Sequence, residues 1–214
     1  NTLETIQMAV EEGEKSGVVE MVTLLGRMLR YSLSNDARLV PIDAEVRHVR
    51  DFLTIQKYRF EERVNFHIDV KVPMNRLLTP KFILQPIVEN SLKYGLERSK
   101  GVRIHIAAAL EFGAGSGKQD VVFRIRDDGP GIEAGKLEAL SEALRAGEHV
   151  KGESGLGLRN VHARIFMMFG DEYGLQIDSI EGKGTEVIIR SPVMETHDNK
   201  EDRMLPQGTE EKEA

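Results

Sequence analysis

The 214-residue sequence has no cysteine and no tryptophan, and aromatic residues make up only 6% of it. Without cysteine there is neither a disulfide framework nor a thiolate metal site, and a reducing compartment, by default the cytoplasm, fits the composition. Long apolar runs are also missing. The longest, such as Ile106 to Leu110 and Ile165 to Phe169, are five residues, against the roughly 20 needed to cross a bilayer. No basic excess exists: the net charge is -6 and the pI is near 5.6, so no nucleic-acid partner is expected. The chain opens on Asn1 with neither a charged nor an apolar leader, and it reads as a fragment of something longer. No repeat period is visible. What is present is ordinary for a packed protein, with 40% hydrophobic and 30% charged residues. The length suits one large domain or two modest pieces.

The first 62 residues carry helical periodicity. Leu3, Ile6, Ala9 and Val10 form one face, Gly13 to Gly17 interrupt it, and Val18, Met21, Val22, Leu25, Met28 and Leu29 resume it. Beyond the Ser34-Asn35-Asp36 breaker and Pro41, Asp43 is placed to cap a third helix with Val46, Val49, Phe52, Leu53, Ile55 and Phe60 as its apolar positions. From residue 63 helices and strands alternate. Val64 to Val70 reads as a strand, and Pro80 opens a helix running to about Leu96. Strands are predicted over 102–110, 121–125, 174–180 and 185–191, with a helix near 157–169. The region from Glu195 to Ala214 holds seven acids and three bases and is expected to be a solvated tail. Three parts follow: 1–62 helical, 63–193 mixed, 194–214 acidic.

Four features at separated positions carry candidate chemistry. In Gln85-Pro86-Ile87-Val88-Glu89-Asn90-Ser91-Leu92-Lys93-Tyr94-Gly95, the side chains of Asn90, Lys93 and Tyr94 share one helix face while Ile87, Val88 and Leu92 turn to the core. An amide oxygen on Asn90 suits Mg²⁺, and Lys93 can neutralise phosphate oxygens. Asp127-Asp128-Gly129-Pro130-Gly131 follows a strand, where a carboxylate can accept from an exocyclic amine and Gly129 and Gly131 permit close approach of a flat base. Gly155-Leu156-Gly157-Leu158 opens a helix, whose free N–H groups favour an anion. Gly182-Lys183-Gly184-Thr185 places a hydroxyl toward the same region. Singly, each has a plainer reading: a surface helix, a turn, a hairpin. Neither Gly-x-Gly-x-x-Gly nor a P-loop motif occurs, so only the joint pattern is specific.

Together and in this order the four features resemble the histidine-kinase type of the Bergerat ATP-binding fold, shared with gyrase and MutL, over about residues 80–193. Glu89-Asn90 with Lys93-Tyr94 looks like its N box, Asp127-x-Gly129-x-Gly131 its G1 box, Gly155-x-Gly157-Leu158 its G2 box, and Gly182-x-Gly184-Thr185 its last Gly-rich motif. Asn1-Thr2-Leu3, Leu29-Arg30-Tyr31-Ser32, Ile55-Gln56-Lys57-Tyr58-Arg59-Phe60 and Gln85-Pro86-Ile87-Val88-Glu89-Asn90 resemble the LytS/YesM branch of sensor histidine kinases. In that branch the phosphoacceptor lies in Pro-His-Phe-x-x-Asn-Thr-Leu, so it would precede Asn1 by four residues. None of the six histidines, His48, His67, His105, His149, His162 and His197, has that context or a metal-ligand spacing, and all read as exposed or structural.

The resemblance implies an α+β fold: a helical hairpin or dimerisation region, then a two-layer α/β sandwich with a mixed sheet and helices on one face. It implies ATP-dependent phosphorylation of a histidine, then transfer to an aspartate of a cognate response regulator. Glu89 would be the catalytic base or orienter. Asp127 would take the adenine amine, Asn90 the Mg²⁺, Lys93 a phosphate, and Gly155, Leu156, Gly157 and Leu158 the phosphate cradle. Thr185 would support Asp127 by hydroxyl or water, and Tyr94 would cover the phosphates or pack. Residues 133–154, with Leu137, Leu140 and Leu144 suggesting a short helix, would form a lid hinged at Gly135, Gly147, Gly152 and Gly155. A homodimer through the helical region is expected, with intramolecular packing as the competing arrangement. Membrane attachment would lie in upstream segments of a bacterial membrane protein, leaving this piece on the cytoplasmic side. Two other functions use the same pocket: an anti-sigma-type serine kinase, disfavoured by the helical hairpin, and a non-catalytic ATP-sensing module, disfavoured by the Glu89-Asn90 pair.

Overall fold

The computed structural model describes residues 2–11, 15–34, 38–113, 117–146 and 156–196. Helices α1 (Thr2–Glu11), α2 (Lys15–Leu33) and α3 (Ile42–Phe60) lead, with strand β1 (Leu39–Pro41) between the last two. Then come β2 (Val64–Val70), β3 (Leu77–Pro80), α4 (Gln85–Arg98), β4 (Val102–Phe112), β5 (Gln119–Asp127), α5 (Ala134–Ala146), α6 (Leu156–Phe169), β6 (Gly174–Ile180), β7 (Gly184–Pro192) and β8 (Met194–Glu195).

Five strands form the main sheet in the order β2-β4-β5-β7-β6, parallel between β2 and β4 and antiparallel elsewhere. Alternation decides which face is covered. Val102, Ile104, Ile106 and Ala108 of β4 are buried while Arg103 and His105 are exposed. The same face continues through Val121, Phe123 and Ile125 on β5 and Val187 and Ile189 on β7. Against it lie Ile87, Val88 and Leu92 of α4, Val161 and Ile165 of α6, and Leu144 of α5. The opposite face carries linked charges, with Arg124 donating to Glu111 at 2.8 Å and Arg190 to Asp120 at 3.1 Å. The α+β class and the mixed sheet with helices on one face are as the sequence predicts.

A second sheet, β1-β3-β8, is unpredicted; its registers include Leu39 opposite Pro80 and Leu78 opposite Met194. Its strands are too short to display an alternating pattern. Pro80 consequently ends β3 rather than opening a helix, and Pro86 occupies the first turn of α4, where a missing N–H costs nothing. The segment expected as tail likewise begins in the sheet: Met194 and Glu195 pair with Leu78 and Leu77, and Thr196 donates to the Arg76 carbonyl at 2.8 Å. Residues 197–214, the rest of that segment, lie outside the described residues.

Asp43 does not cap α3. The N-cap is Pro41, the Asp43 N–H donates to Met74 O at 3.0 Å, and its carboxylate takes Arg47 at 2.7 Å. The more consequential acid is Glu45, fully buried on α3. Its carboxylate accepts from the N–H groups of Phe82, Ile83 and Leu84 at 3.0, 2.8 and 3.0 Å, and from the Tyr31 hydroxyl. Leu84 at the N-cap of α4 has no side-chain cap, so a carboxylate from another helix satisfies its N–H and those of the two residues leading into the positive end of α4. Burial, then the Glu45 charge, pushes the Tyr31 phenol far above its ordinary pKa and keeps it a donor.

The apolar stripe read on α2 divides into two. Met21 and Leu24 are buried, and Arg27 grips Asp51 of α3 through two bonds at 2.8 and 2.9 Å. Val22 and Leu29 instead remain 53% exposed, beside Val19 at 67% and Leu33 at 75%.

Candidate functional site

The face of α4 that turns from the core carries the first group of predicted residues. Asn90 is half-buried, and its Nδ2 is buried with no hydrogen-bond partner, so a polar group is set aside by the protein. Glu89 is exposed and accepts from Gln85 Nε2 at 2.7 Å, leaving its second oxygen available. Lys93 is exposed with its ammonium 5.4 Å from the centre of the half-buried Tyr94 ring.

Asp127 ends β5 at 9% exposure. Ser91 donates to its Oδ2 at 2.7 Å and the Gly129 N–H to its Oδ1 at 3.0 Å. Desolvation raises its pKa; the bonds from Ser91, Gly129 and the Thr185 backbone oppose the rise, and Asp128 adds to it. An ionised carboxylate has about four acceptor sites, so these three protein donors leave room for an incoming amine. Ser91 directly follows Asn90 in the motif but is not singled out by the sequence; its hydroxyl fastens α4 to the end of β5.

The Thr185 hydroxyl does not reach Asp127. It pairs with Ser179 Oγ at 2.9 Å, and that hydroxyl also donates to Gly184 O and accepts from the Ile132 N–H. The reason is cross-strand register: Ser179 on β6 sits directly opposite Thr185 on β7. Two glycines are obligatory here. At Gly131, φ is +67° and a Cβ would lie 2.1 Å from Ile180 O; at Gly184, φ is +113° and a Cβ would lie 2.0 Å from Asp127 O. The glycines thus bring the β5 end and the β6–β7 turn into contact.

The start of α6 meets the α4 face. A Cβ on Gly157 would lie 3.3 Å from Pro86 Cβ and 3.9 Å from Asn90 Nδ2. Leu158 is buried and anchors this end. Leu156 begins the helix, and Gly155 lies outside the described residues. Asn90, Asp127, Gly129, Gly131, Gly157 and Thr185 are therefore drawn toward one region by α4, β5, α6 and β7. Among the described residues no group of three or more His, Asp or Glu could hold a metal ion.

The arrangement matches a known family. Residues 77–195 match the model of the histidine kinase-, DNA gyrase B- and HSP90-like ATPases. The chain belongs to this ATPase family. Its residues 1–64 match a second model, described as histidine kinase. An ATPase domain of this family implies ATP binding. The sensor histidine kinase YesM of Bacillus subtilis is 35% identical over 195 residues, covering 90% of this chain and 30% of that protein. The sensor protein kinase HptS of Staphylococcus aureus is 26% identical over 194 residues, covering 90% and 35%. The chain thus spans about a third of the length of these relatives. Among solved structures, the catalytic domain of histidine kinase ThkA has the same fold, with TM-score 0.54 and 17% identity over 72% of this chain and 95% of that one.

The described histidines are placed differently from one another. His67 and His105 stack at 5.3 Å on the exposed sheet face. His162 accepts the Leu175 N–H on Nδ1 at 3.0 Å, and burial lowers its pKa. His48 is buried and lies 2.6 Å from Gln85 Oε1. His149 and His197 lie outside the described residues. No helix among the described residues is long and apolar enough to cross a membrane.

Proposed function

We propose that this chain is the ATP-binding, catalytic part of a sensor histidine kinase. It transfers the γ-phosphoryl group of ATP to a histidine, which then passes it to an aspartate of a response regulator. The observation that carries the reading is the Ser91–Asp127 hydrogen bond at 2.7 Å, which fastens the Asn90 face of α4 to a buried strand-end carboxylate. In this reading Asp127 accepts from the adenine amine, Gly129 leaves that carboxylate uncovered, and Gly131 shapes this end of the pocket by admitting the Ile180 carbonyl. Lys93 and the N-terminal amides of α6, which Leu156, Gly157 and Leu158 open, neutralise phosphate under Tyr94; Gly155 lies outside the described residues. Thr185 acts through its backbone on Asp127 and through Ser179.

The residues fit Mg²⁺ held mainly by phosphates. A single unspent amide on Asn90 suits an ion that keeps most of its ligands from nucleotide and water. The amide oxygen would be the ligand, and the unpartnered Nδ2 would donate to a phosphate oxygen. When bound, Mg²⁺ would spread the charge of the phosphates. The chain's own contribution is positioning. The unprotonated nitrogen of the acceptor imidazole forms the N–P bond. The P–O bond to ADP breaks with its electron pair left on ADP, and Glu89 takes the proton from the other ring nitrogen.

Residues 1–62 form the dimerisation region in this reading, 63–193 the ATP-binding domain and 194–214 an acidic end. The surface of α2 supports a homodimer: Val19, Val22, Leu29 and Leu33 are exposed, and with Gly26 they follow the 3-4-3-4 spacing of a helix seam. Of the segment 133–154 expected as a lid, Leu137, Leu140 and Leu144 settle α5 against the core and Gly135 lies in that helix, while residues 147–155, with Gly147, Gly152 and Gly155, lie outside the described residues. Membrane anchoring belongs to residues outside these 214.

Titration of the chain with a fluorescent ATP analogue and Mg²⁺ tests the site. Asp127→Asn removes a charge-assisted acceptor worth about 1.5–3 kcal/mol, so affinity should fall roughly 10- to 100-fold with the fold intact. Unchanged affinity would remove Asp127 from the pocket.

A further inference from the structure

Glu89 is tethered to a histidine of the helical region. Gln85, one turn earlier on α4, donates from Nε2 to Glu89 Oε1 at 2.7 Å, and its own Oε1 lies 2.6 Å from Nε2 of His48 on α3. The polarity of this chain follows from its end. An ionised carboxylate only accepts, so Gln85 must give its N–H groups to Glu89 and turn its carbonyl to His48. His48 must then donate from Nε2. In the neutral ring the lone pair is on Nδ1, which is buried and has no hydrogen-bond partner.

The His48 ring has little freedom. It is 3% exposed, stacks on Tyr31 at 4.3 Å and 25°, and meets the Phe82 ring at 5.3 Å and 79°. Tyr31 and Phe82 are themselves fixed by the buried Glu45 carboxylate. A rigid donor on α3 thus sets the Gln85 amide, and that amide sets one oxygen of Glu89. Such a chain costs conformational entropy in three side chains, yet Glu89 is a solvent-exposed residue whose carboxylate needs no partner to be stable. What the chain does supply is a fixed carboxylate direction.

We propose that His48 is a positioning residue for phosphoryl transfer: through Gln85 it orients the Glu89 carboxylate toward the proton of the acceptor imidazole. The proposal rests on the reading of Glu89 given above. It also makes the reaction rate depend on how α2 and α3 hold the His48 ring, because Tyr31 comes from α2 and His48 from α3.

The test uses the kinase with its acceptor-bearing segment upstream of Asn1, measuring initial rates of histidine phosphorylation against ATP concentration. His48→Ala should lower kcat about 10- to 100-fold, the scale of a mispositioned proton acceptor, and leave KM for ATP within about twofold. Gln85→Met is the variant that spares the fold, since Gln85 is only half-buried; it should show the same split. His48→Gln keeps a donor and should recover most of the rate. In a Glu89→Gln background neither His48→Ala nor Gln85→Met should cost more. An additive loss there, a change confined to KM, or wild-type kcat in Gln85→Met would overturn the relay. A wild-type rate in Glu89→Gln alone would overturn the reading of Glu89, and the relay with it. A slow Glu89→Gln beside a fast Gln85→Met would remove only the relay.

Discussion

Asp127 is where burial and function pull against each other. Desolvation raises its pKa, while the proposed adenine contact needs the ionised form. The sign is therefore defined: as pH falls through the raised pKa, Asp127 takes a proton and loses acceptor capacity, so nucleotide affinity weakens above the range in which an ordinary aspartate, pKa about 3.9, would titrate. Affinity of the fluorescent analogue measured from pH 7 downward should show this decline in the wild type and a flatter profile in Asp127→Asn. A wild-type curve that stays level until about pH 4 would contradict it. Bound amine would itself favour the ionised form, so the midpoint should move to lower pH as nucleotide saturates the site. The residue types of this site were legible in sequence because carboxylate, amide and glycine each have a chemistry that few other residues can supply. Their partners were not. Ser91 as the donor to Asp127, and Ser179 rather than Asp127 as the partner of the Thr185 hydroxyl, depend on how α4 and the β6–β7 register place these side chains.

Between elements, the joints are made by single polar groups. His162 on α6 accepts the Leu175 N–H on β6, and its pKa is lowered by burial. A base with a depressed folded-state pKa contributes stability at pH values above its unfolded value of about 6.5, and that contribution is lost as pH falls through the folded value. Thermal unfolding should therefore show a lower Tm on acidification below about pH 6.5. His162→Gln should lose roughly 1–3 kcal/mol at neutral pH and flatten that slope. An equal slope in both proteins would rule His162 out as its source. The long elements were readable from their period, as in β4, where Val102, Ile104 and Ile106 alternate with Arg103 and His105. The three-stranded sheet and the Glu45 cap were not, for two physical reasons. Strands of two to four residues carry no period, and a glutamate on an amphipathic helix looks solvent-facing until the orphan amides of Phe82, Ile83 and Leu84 are brought to it.

At the scale of the molecule, the helical region and the ATPase domain meet through α3, which supplies the cap of α4 and the tether to Glu89. The outward seam of α2, with Val19, Val22, Leu29 and Leu33, is an apolar surface without cover among the described residues. Leu29→Glu, at 53% exposure, should leave the fold intact but weaken self-association at least tenfold, since burying a leucine contributes about 1.5–3 kcal/mol. Light scattering across a concentration series reads this directly, and equal association of both proteins would move the dimer contact elsewhere. Phosphoryl transfer from ATP to a histidine has a more direct test. The chain is extended upstream to carry the acceptor motif, incubated with γ-labelled ATP and Mg²⁺, and the protein-bound label is assayed for acid and base stability. Acid-labile, base-stable label that disappears in both Asn90→Asp and Asp127→Asn is the result expected; label that persists in both variants, or none that is acid-labile in the wild type, would contradict the account.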